Sequence, residues 1–165
     1  MNISIEQSKK YKRSRAVPIL VVDDSPTLLH AICALLEPQE TVHVVGRAMD
    51  GQEALEAVDS LSPEFVLMDV AMPRMNGLRA TRMIARHFPE TKVLLMSSED
   101  SRYLREECLT AGAVAFVYKP KFLKELLAAI QTNRKPIEVS IQDRESHSRF
   151  SSIAVVGARQ SSASR

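Results

Sequence analysis

The sequence predicts an α/β fold in which a five-stranded, doubly wound parallel sheet carries helices on both faces. Three observations predict it. Short apolar runs alternate five times with amphipathic stretches. The runs are β-branched and lack strict apolar/polar alternation, as strands covered on both faces should. The stretches between them carry helix start and stop signals. Repeated β/α alternation demands right-handed crossovers and therefore a layered sheet.

The first run, Pro18-Ile-Leu-Val-Val22, ends at Asp23-Asp24. Ser25 then supplies an N-cap and Pro26 the first helical position, and Leu28, Leu29, Ile32, Leu35 and Leu36 form an apolar stripe that stops before Pro38. Thr41-Val-His-Val-Val45 precedes the stripe Ala54, Leu55, Val58 and Leu61; Glu64-Phe-Val-Leu-Met68 precedes Leu78, Met83, Ile84 and Phe88. Lys92-Val-Leu-Leu-Met96 leads to Leu104, Cys108 and Ala111, and Ala113-Val-Ala-Phe-Val-Tyr118 leads to Phe122, Leu123, Leu126, Leu127 and Ile130.

The length of 165 residues suits one domain with tails, and the 45% hydrophobic content supplies a core that needs no disulfide or metal staple. The expected division is a basic, disordered N-terminal tail over 1–15, the folded domain over 16–132, and a mobile Ser/Arg-rich tail over 133–165. The net charge of +2 conceals an asymmetry: residues 1–15 carry five Lys/Arg against Glu6, residues 133–165 carry six against three acids, and the body is acidic. Cys33 and Cys108 fall inside apolar helical patterns and read as small buried hydrophobes in a reducing compartment. The apolar run at Val17–Val22 is too short for a membrane span or a signal-peptide core, so the expected setting is cytoplasmic, with no membrane partner. His30, His43, His87 and His147 lack ligand spacing and read as structural or exposed.

Ligands of a doubly wound sheet collect at the carboxyl ends of its strands. Here the first strand ends in Asp23-Asp24, the third in Asp69, the fourth in Ser97-Ser98 and the fifth in Lys119-Pro120. Each has an ordinary explanation alone: a helix cap, a loop cap before Met72-Pro73, a bland serine, a turn. Their joint occurrence in order argues for a site. Carboxylates packed together stay ionised only around a cation, and hard oxygen ligands with room for water and phosphate suit Mg²⁺. A carboxylate beside a metal and a lysine is placed to attack a phosphoryl group, with the hydroxyl donating to a transferring oxygen.

Four stretches carry a resemblance: Ile19-Leu-Val-Val-Asp-Asp-Ser25, Phe65-Val-Leu-Met-Asp-Val-Ala-Met-Pro-Arg-Met-Asn-Gly77, Val93-Leu-Leu-Met-Ser-Ser98 and Ala111-Gly-Ala-Val-Ala-Phe-Val-Tyr-Lys-Pro120. Over residues 17–132 the chain resembles the receiver domains of two-component response regulators. The resemblance implies a flavodoxin-like (βα)5 fold with strand order 2-1-3-4-5, and phosphorylation of Asp69 by a histidine kinase or phosphotransfer protein. It implies Mg²⁺ held by Asp24, Asp69 and the backbone carbonyl of Ala71, with Asp23 acting through water and Lys119 pairing with the phosphate. Ser97 is expected to move toward the phosphoryl oxygen and Phe116 to rotate into the vacated space. Because Phe116 lacks a hydroxyl, such a switch rests on packing alone; its ordinary explanation is core packing. Ala71 and Glu99 occupy positions that flank the path of hydrolytic water in relatives. The Lys119-Pro120 bond is expected to be cis and to aim the ammonium, and Gly77 to serve a tight turn that needs backbone freedom.

The output expected is a changed surface on the fourth helix, fifth strand and fifth helix that binds a downstream protein or a second copy of the chain. Arg102, Tyr103, Arg105, Lys121 and Lys124 are candidates for that surface, though solvated faces look the same. The chain would be a phosphoacceptor switch rather than an enzyme with an external substrate. Alternatives are a phosphorelay intermediate and the front of a larger effector, DNA-binding or methylesterase-like. Ile153-Ala-Val-Val-Gly-Ala158 faintly resembles the first methylesterase strand but is followed by Arg159-Gln160 instead of a serine-bearing loop. Nucleic-acid attraction through the basic tails is a further alternative to their solvation. A haloacid-dehalogenase-like phosphatase needs a second acid two residues after its nucleophile, where this sequence has Ala71.

Overall fold

The computed structural model describes residues 16–134. The expectations for residues 1–15, for the tail beyond Arg134 with its Ile153–Ala158 run, and for His147 lie outside the described residues. In chain order the elements are β1 (Val17–Val22), α1 (Pro26–Leu36), β2 (Val42–Ala48), α2 (Gly51–Leu61), β3 (Phe65–Asp69), α3 (Gly77–His87), β4 (Lys92–Ser97), α4 (Arg102–Thr110), β5 (Ala115–Tyr118), a 3-10 turn (Lys119–Lys121) and α5 (Phe122–Asn133). The five strands are parallel in the order β2-β1-β3-β4-β5, as expected.

Side chains of successive strand residues point to opposite faces, so each run feeds two cores. Leu20, Val22, Val66, Met68, Val93, Leu95 and Phe116 pack with Ala54 and Val58 of α2, Ala80 and Ile84 of α3, and Cys108 of α4. Val17, Ile19, Val21, Phe65, Leu67, Leu94, Met96 and Val117 pack with Leu29, Ile32, Cys33 and Leu36 of α1 and with Leu126 and Ile130 of α5. This double coverage is why the runs are continuously apolar. Both cysteines are buried and free. His30, His43 and His87 are exposed. Leu35, expected in the α1 stripe, is instead 50% exposed: Cys33 fills the inward face and leaves Leu35 on its flank. Leu61, the last residue of α2, is likewise exposed.

Four helices begin with side-chain caps that satisfy backbone N–H groups otherwise left without partners. Ser25 Oγ accepts from Leu28 N at 3.3 Å, Asn76 Oδ1 from Arg79 N at 2.9 Å, and Ser101 Oγ from Leu104 N at 3.2 Å. Asp50 Oδ1 accepts from Gln52 N and Glu53 N at 2.8 and 2.9 Å. Each cap follows a strand's carboxyl end or the loop beyond it, which fixes the direction in which the chain leaves that edge.

Two backbone expectations need correction. The Lys119–Pro120 peptide bond is trans; no cis bond occurs among the described residues. Pro120 instead stands in the 3-10 turn, where its fixed φ and missing N–H suit an early helical position, and the turn carries Lys119 to the sheet edge. Gly77 has no left-handed φ. A Cβ there would run into the carbonyl oxygen of Asp69 and lie 3.0 Å from both its carbonyl carbon and Leu95 Cδ2, so close approach requires the glycine.

Candidate functional site

At the carboxyl edge, β1 and β3 are adjacent and pair through Val22 and Met68, which brings Asp23 and Asp69 side by side. Lys119 arrives from β5 across the intervening β4. Its Nζ lies 2.6 Å from Asp69 Oδ1 and 2.9 Å from Asp23 Oδ2. The remaining carboxylate oxygens are also engaged: Asp69 Oδ2 accepts from Ala71 N at 2.8 Å, and Asp23 Oδ1 from Ser25 N at 3.0 Å. Asp23 is 1% exposed and Asp69 5%.

Burial disfavours the charge on Asp69 and sets its carboxyl above the ordinary value; the hydrogen bond and charge of Lys119 oppose this, while the charge of Asp23 adds to it. Burial also works against the Lys119 ammonium, but its hydrogen bonds to Asp69 and Asp23 and their charges outweigh it, so its affinity for the proton is raised. Lys119 is therefore cationic at neutral pH. Two carboxylates share this one cation, which leaves excess negative charge in a shielded edge, and exposed Asp24 adds more at its mouth.

That donor set fits a hydrated divalent cation. Mg²⁺ keeps several waters and takes only one or two protein carboxylates, whereas a dry cage would need more converging ligands. No group of three His, Cys, Asp or Glu side chains is gathered for a metal among the described residues. Of the expected ligands, Asp23 and Asp69 meet on Lys119 and Asp24 faces solvent. The Ala71 N–H donates to Asp69.

Ser97 ends β4, half-buried, and its Oγ accepts the Glu99 N–H at 3.0 Å, a bond that turns it to the β4–α4 loop. Phe116 is 9% exposed and belongs to the core on the α2–α4 side. The Arg105 guanidinium lies over its ring, 4.5 Å from the centroid, so this residue packs on β5 instead of merely facing solvent.

One buried acid was not singled out by sequence reasoning. Asp50, 2% exposed, pairs with Arg74 of the loop that follows Asp69. The backbone N–H of Glu53 is the main influence holding its carboxyl below the ordinary value, against burial, with Gln52 N–H and Arg74 assisting. Asp50 followed three residues later by Glu53 is a legible cap signal; Arg74, at φ 64, offers no comparable local sign.

Comparison with known proteins decides the family. Residues 19–131 match the response regulator receiver domain. The chain belongs to that family. This receiver is 32% identical over 116 residues to the transcriptional regulatory protein LnrK of Bacillus subtilis, covering 70% of this chain and 53% of that protein. It is 38% identical over 108 residues to a protein-glutamate methylesterase/protein-glutamine glutaminase of Thermotoga maritima, covering 64% of this chain and 31% of that protein. The match thus spans about half or less of these relatives. Among solved structures, the response regulator domain of Thermotoga maritima CheB superposes with a TM-score of 0.66 at 35% identity, covering 74% of this chain and 100% of that one. The signal receiver domain of NarL from Mycobacterium tuberculosis gives 0.65 at 30% identity, covering 71% and 98%. Among the described residues no helix is long and apolar enough to cross a membrane.

Proposed function

We propose that this receiver accepts a phosphoryl group on Asp69 from a histidine kinase or phosphotransfer protein and uses it to change a protein-binding surface. The observation that carries the reading is the 2.6 Å contact between the Lys119 ammonium and buried Asp69. A carboxylate oxygen of Asp69 forms a bond to phosphorus, the bond from phosphorus to the donor breaks, and its electron pair leaves with the donor. Lys119 offsets charge on the transferring oxygens, and the Ser97 hydroxyl donates to one of them. Asp24, Asp69 and the Ala71 carbonyl, with Asp23 through water, would hold Mg²⁺, which would supply further charge neutralisation. The similar receiver domain of Salmonella RcsB, 26% identical with a TM-score of 0.64 and covering 73% of this chain and 92% of that one, was solved with phosphomimetic BeF3−.

The output is protein binding through α4, β5 and α5 in the cytoplasm, to a downstream partner or a second copy, with Ser97 and Phe116 as switch residues. A second reading makes the chain the receiver part of a DNA-binding or methylesterase effector; the relatives favour it, because LnrK and the Thermotoga methylesterase extend well beyond the matched region. The test is incubation with Mg²⁺ and acetyl phosphate followed by intact mass measurement. One phosphoryl adduct is expected, and none in Asp69→Asn. An unmodified wild-type protein overturns the reading.

A further inference from the structure

We infer that Arg105 is a positioning residue that couples the loop after Ser97 to Phe116, holding the unmodified state of this receiver in place. The inference rests on the reading of Asp69 as the phosphoacceptor.

A continuous set of contacts runs outward from the end of β4. The Glu99 N–H donates to Ser97 Oγ at 3.0 Å, the Ser101 hydroxyl donates to Glu99 Oε1 at 2.8 Å, and Ser101 Oγ accepts the Leu104 N–H as the cap of α4. The same loop presents Asp100, whose Oδ1 accepts from Arg105 Nε at 2.5 Å. Arg105 then spreads its guanidinium over the Phe116 ring. The hydrogen bond and charge of Asp100 hold Arg105 firmly cationic against its partial burial, and the charge of Glu125 on α5 acts in the same direction. Glu125 also accepts the Tyr118 N–H at 2.7 Å, two residues along β5 from Phe116.

A planar cation suits this position. It stacks on the ring while its edge N–H groups still reach Asp100. Phe116 has no hydroxyl with which to fix its own orientation, so the contact above its ring supplies what the side chain lacks. When Ser97 is drawn toward a phosphoryl group on Asp69, the Glu99–Ser101 segment must follow, Asp100 moves with it, and Arg105 is pulled from the ring. Arg105 thereby favours the unmodified arrangement, and the equilibrium shifts by its differential contact between the two states.

The experiment uses the full chain with 4-fluorophenylalanine at position 116, read by fluorine NMR, and titrates beryllofluoride with Mg²⁺. In Arg105→Gln the ring resonance of the unloaded protein is expected to move toward that of the loaded wild type. Beryllofluoride should bind about 2- to 5-fold more tightly, the size expected for one exposed cation–π contact. Arg105→Lys, which keeps the charge beside Asp100, should restore part of the wild-type position. Asp100→Asn, which takes the charge out of the tether and leaves the stack, should shift the resonance less in the same direction, and serves if Arg105→Gln fails to fold. Tight wild-type binding with ring resonance and affinity unmoved in Arg105→Gln and Asp100→Asn overturns the coupling alone. A wild-type protein that ignores beryllofluoride and takes no phosphoryl adduct overturns the Asp69 reading and the coupling with it.

Discussion

The backbone of Asp69 is packed so closely by Gly77 that helix α3 can start where it does only because residue 77 has no side chain. The Gly77 N–H also donates to Val70 O at 3.0 Å, which ties the start of α3 to the residue after Asp69. The loop from Val70 to Asn76 is therefore pinned at both ends.

Gly77→Ala should consequently destabilise the fold despite the better helix propensity of alanine. The added methyl meets backbone, which cannot swing away, so a loss of about 1–3 kcal/mol is expected. Thermal denaturation would register a drop of about 4 °C per kcal/mol for a domain of this size. A melting temperature at or above wild type would show that α3 relaxes without cost.

Lys119→Met removes the one cation shared by Asp23 and Asp69. The buried carboxylates then repel each other, and on the proposed reading charge on the transferring oxygens would lose its partner. Adduct formation from acetyl phosphate is expected to slow by about 10²-fold or more, the scale seen when one transition-state charge stabiliser is removed. Rapid-quench mass measurement gives the rate, and an unchanged rate would remove Lys119 from the chemistry.

Asp50 gives a pH dependence with a definite sign. Its folded value lies below the ordinary 3.8, so its stabilisation is present above that value and disappears as pH falls through the folded one. Asp50→Asn keeps a good cap but loses the charge facing Arg74. It should cost up to about 1 kcal/mol at pH 7, since Arg74 is largely solvated. Urea denaturation at pH 7, 5 and 3 should show the gap between variant and wild type narrowing only at the lowest pH.

Cys108 has no measurable exposure, and burial pushes its thiol up to about 11, with Glu107 adding to the shift. At pH 8 only about one molecule in a thousand would carry the thiolate, so reaction with a disulfide reagent should be at least tens of times slower than for an unperturbed cysteine. Both Cys33 and Cys108 should react promptly in denaturant. Fast native labelling at Cys108 would mean that α4 opens readily.

The order of elements and the convergence of Asp23, Asp69 and Lys119 are legible in the sequence because local signals encode them. Apolar runs mark strands, Ser25 and Ser101 cap helices, and a parallel sheet sends its polar strand ends to one edge. Leu35 is misplaced by the same logic, since a stripe with one apolar residue too many does not say which lies on its flank. The contact of Arg105 with Phe116 depends on how α4 settles against β5, a tertiary distance that no local pattern contains. The role of Gly77 is likewise decided by a strand eight residues earlier, and the trans bond at Pro120 by the turn that accommodates it.

That turn has no slack. The Phe122 N–H donates to Lys119 O and the Glu125 carboxylate grips Tyr118 N–H, so the base of the lysine is fastened to the first turn of α5 at two points. On the proposed reading, a protein that seizes α5 would thus tug on the ammonium, and thermodynamic reciprocity would make the coupling run both ways: whatever free energy phosphate lent to partner capture, the captured partner would return to the phosphate.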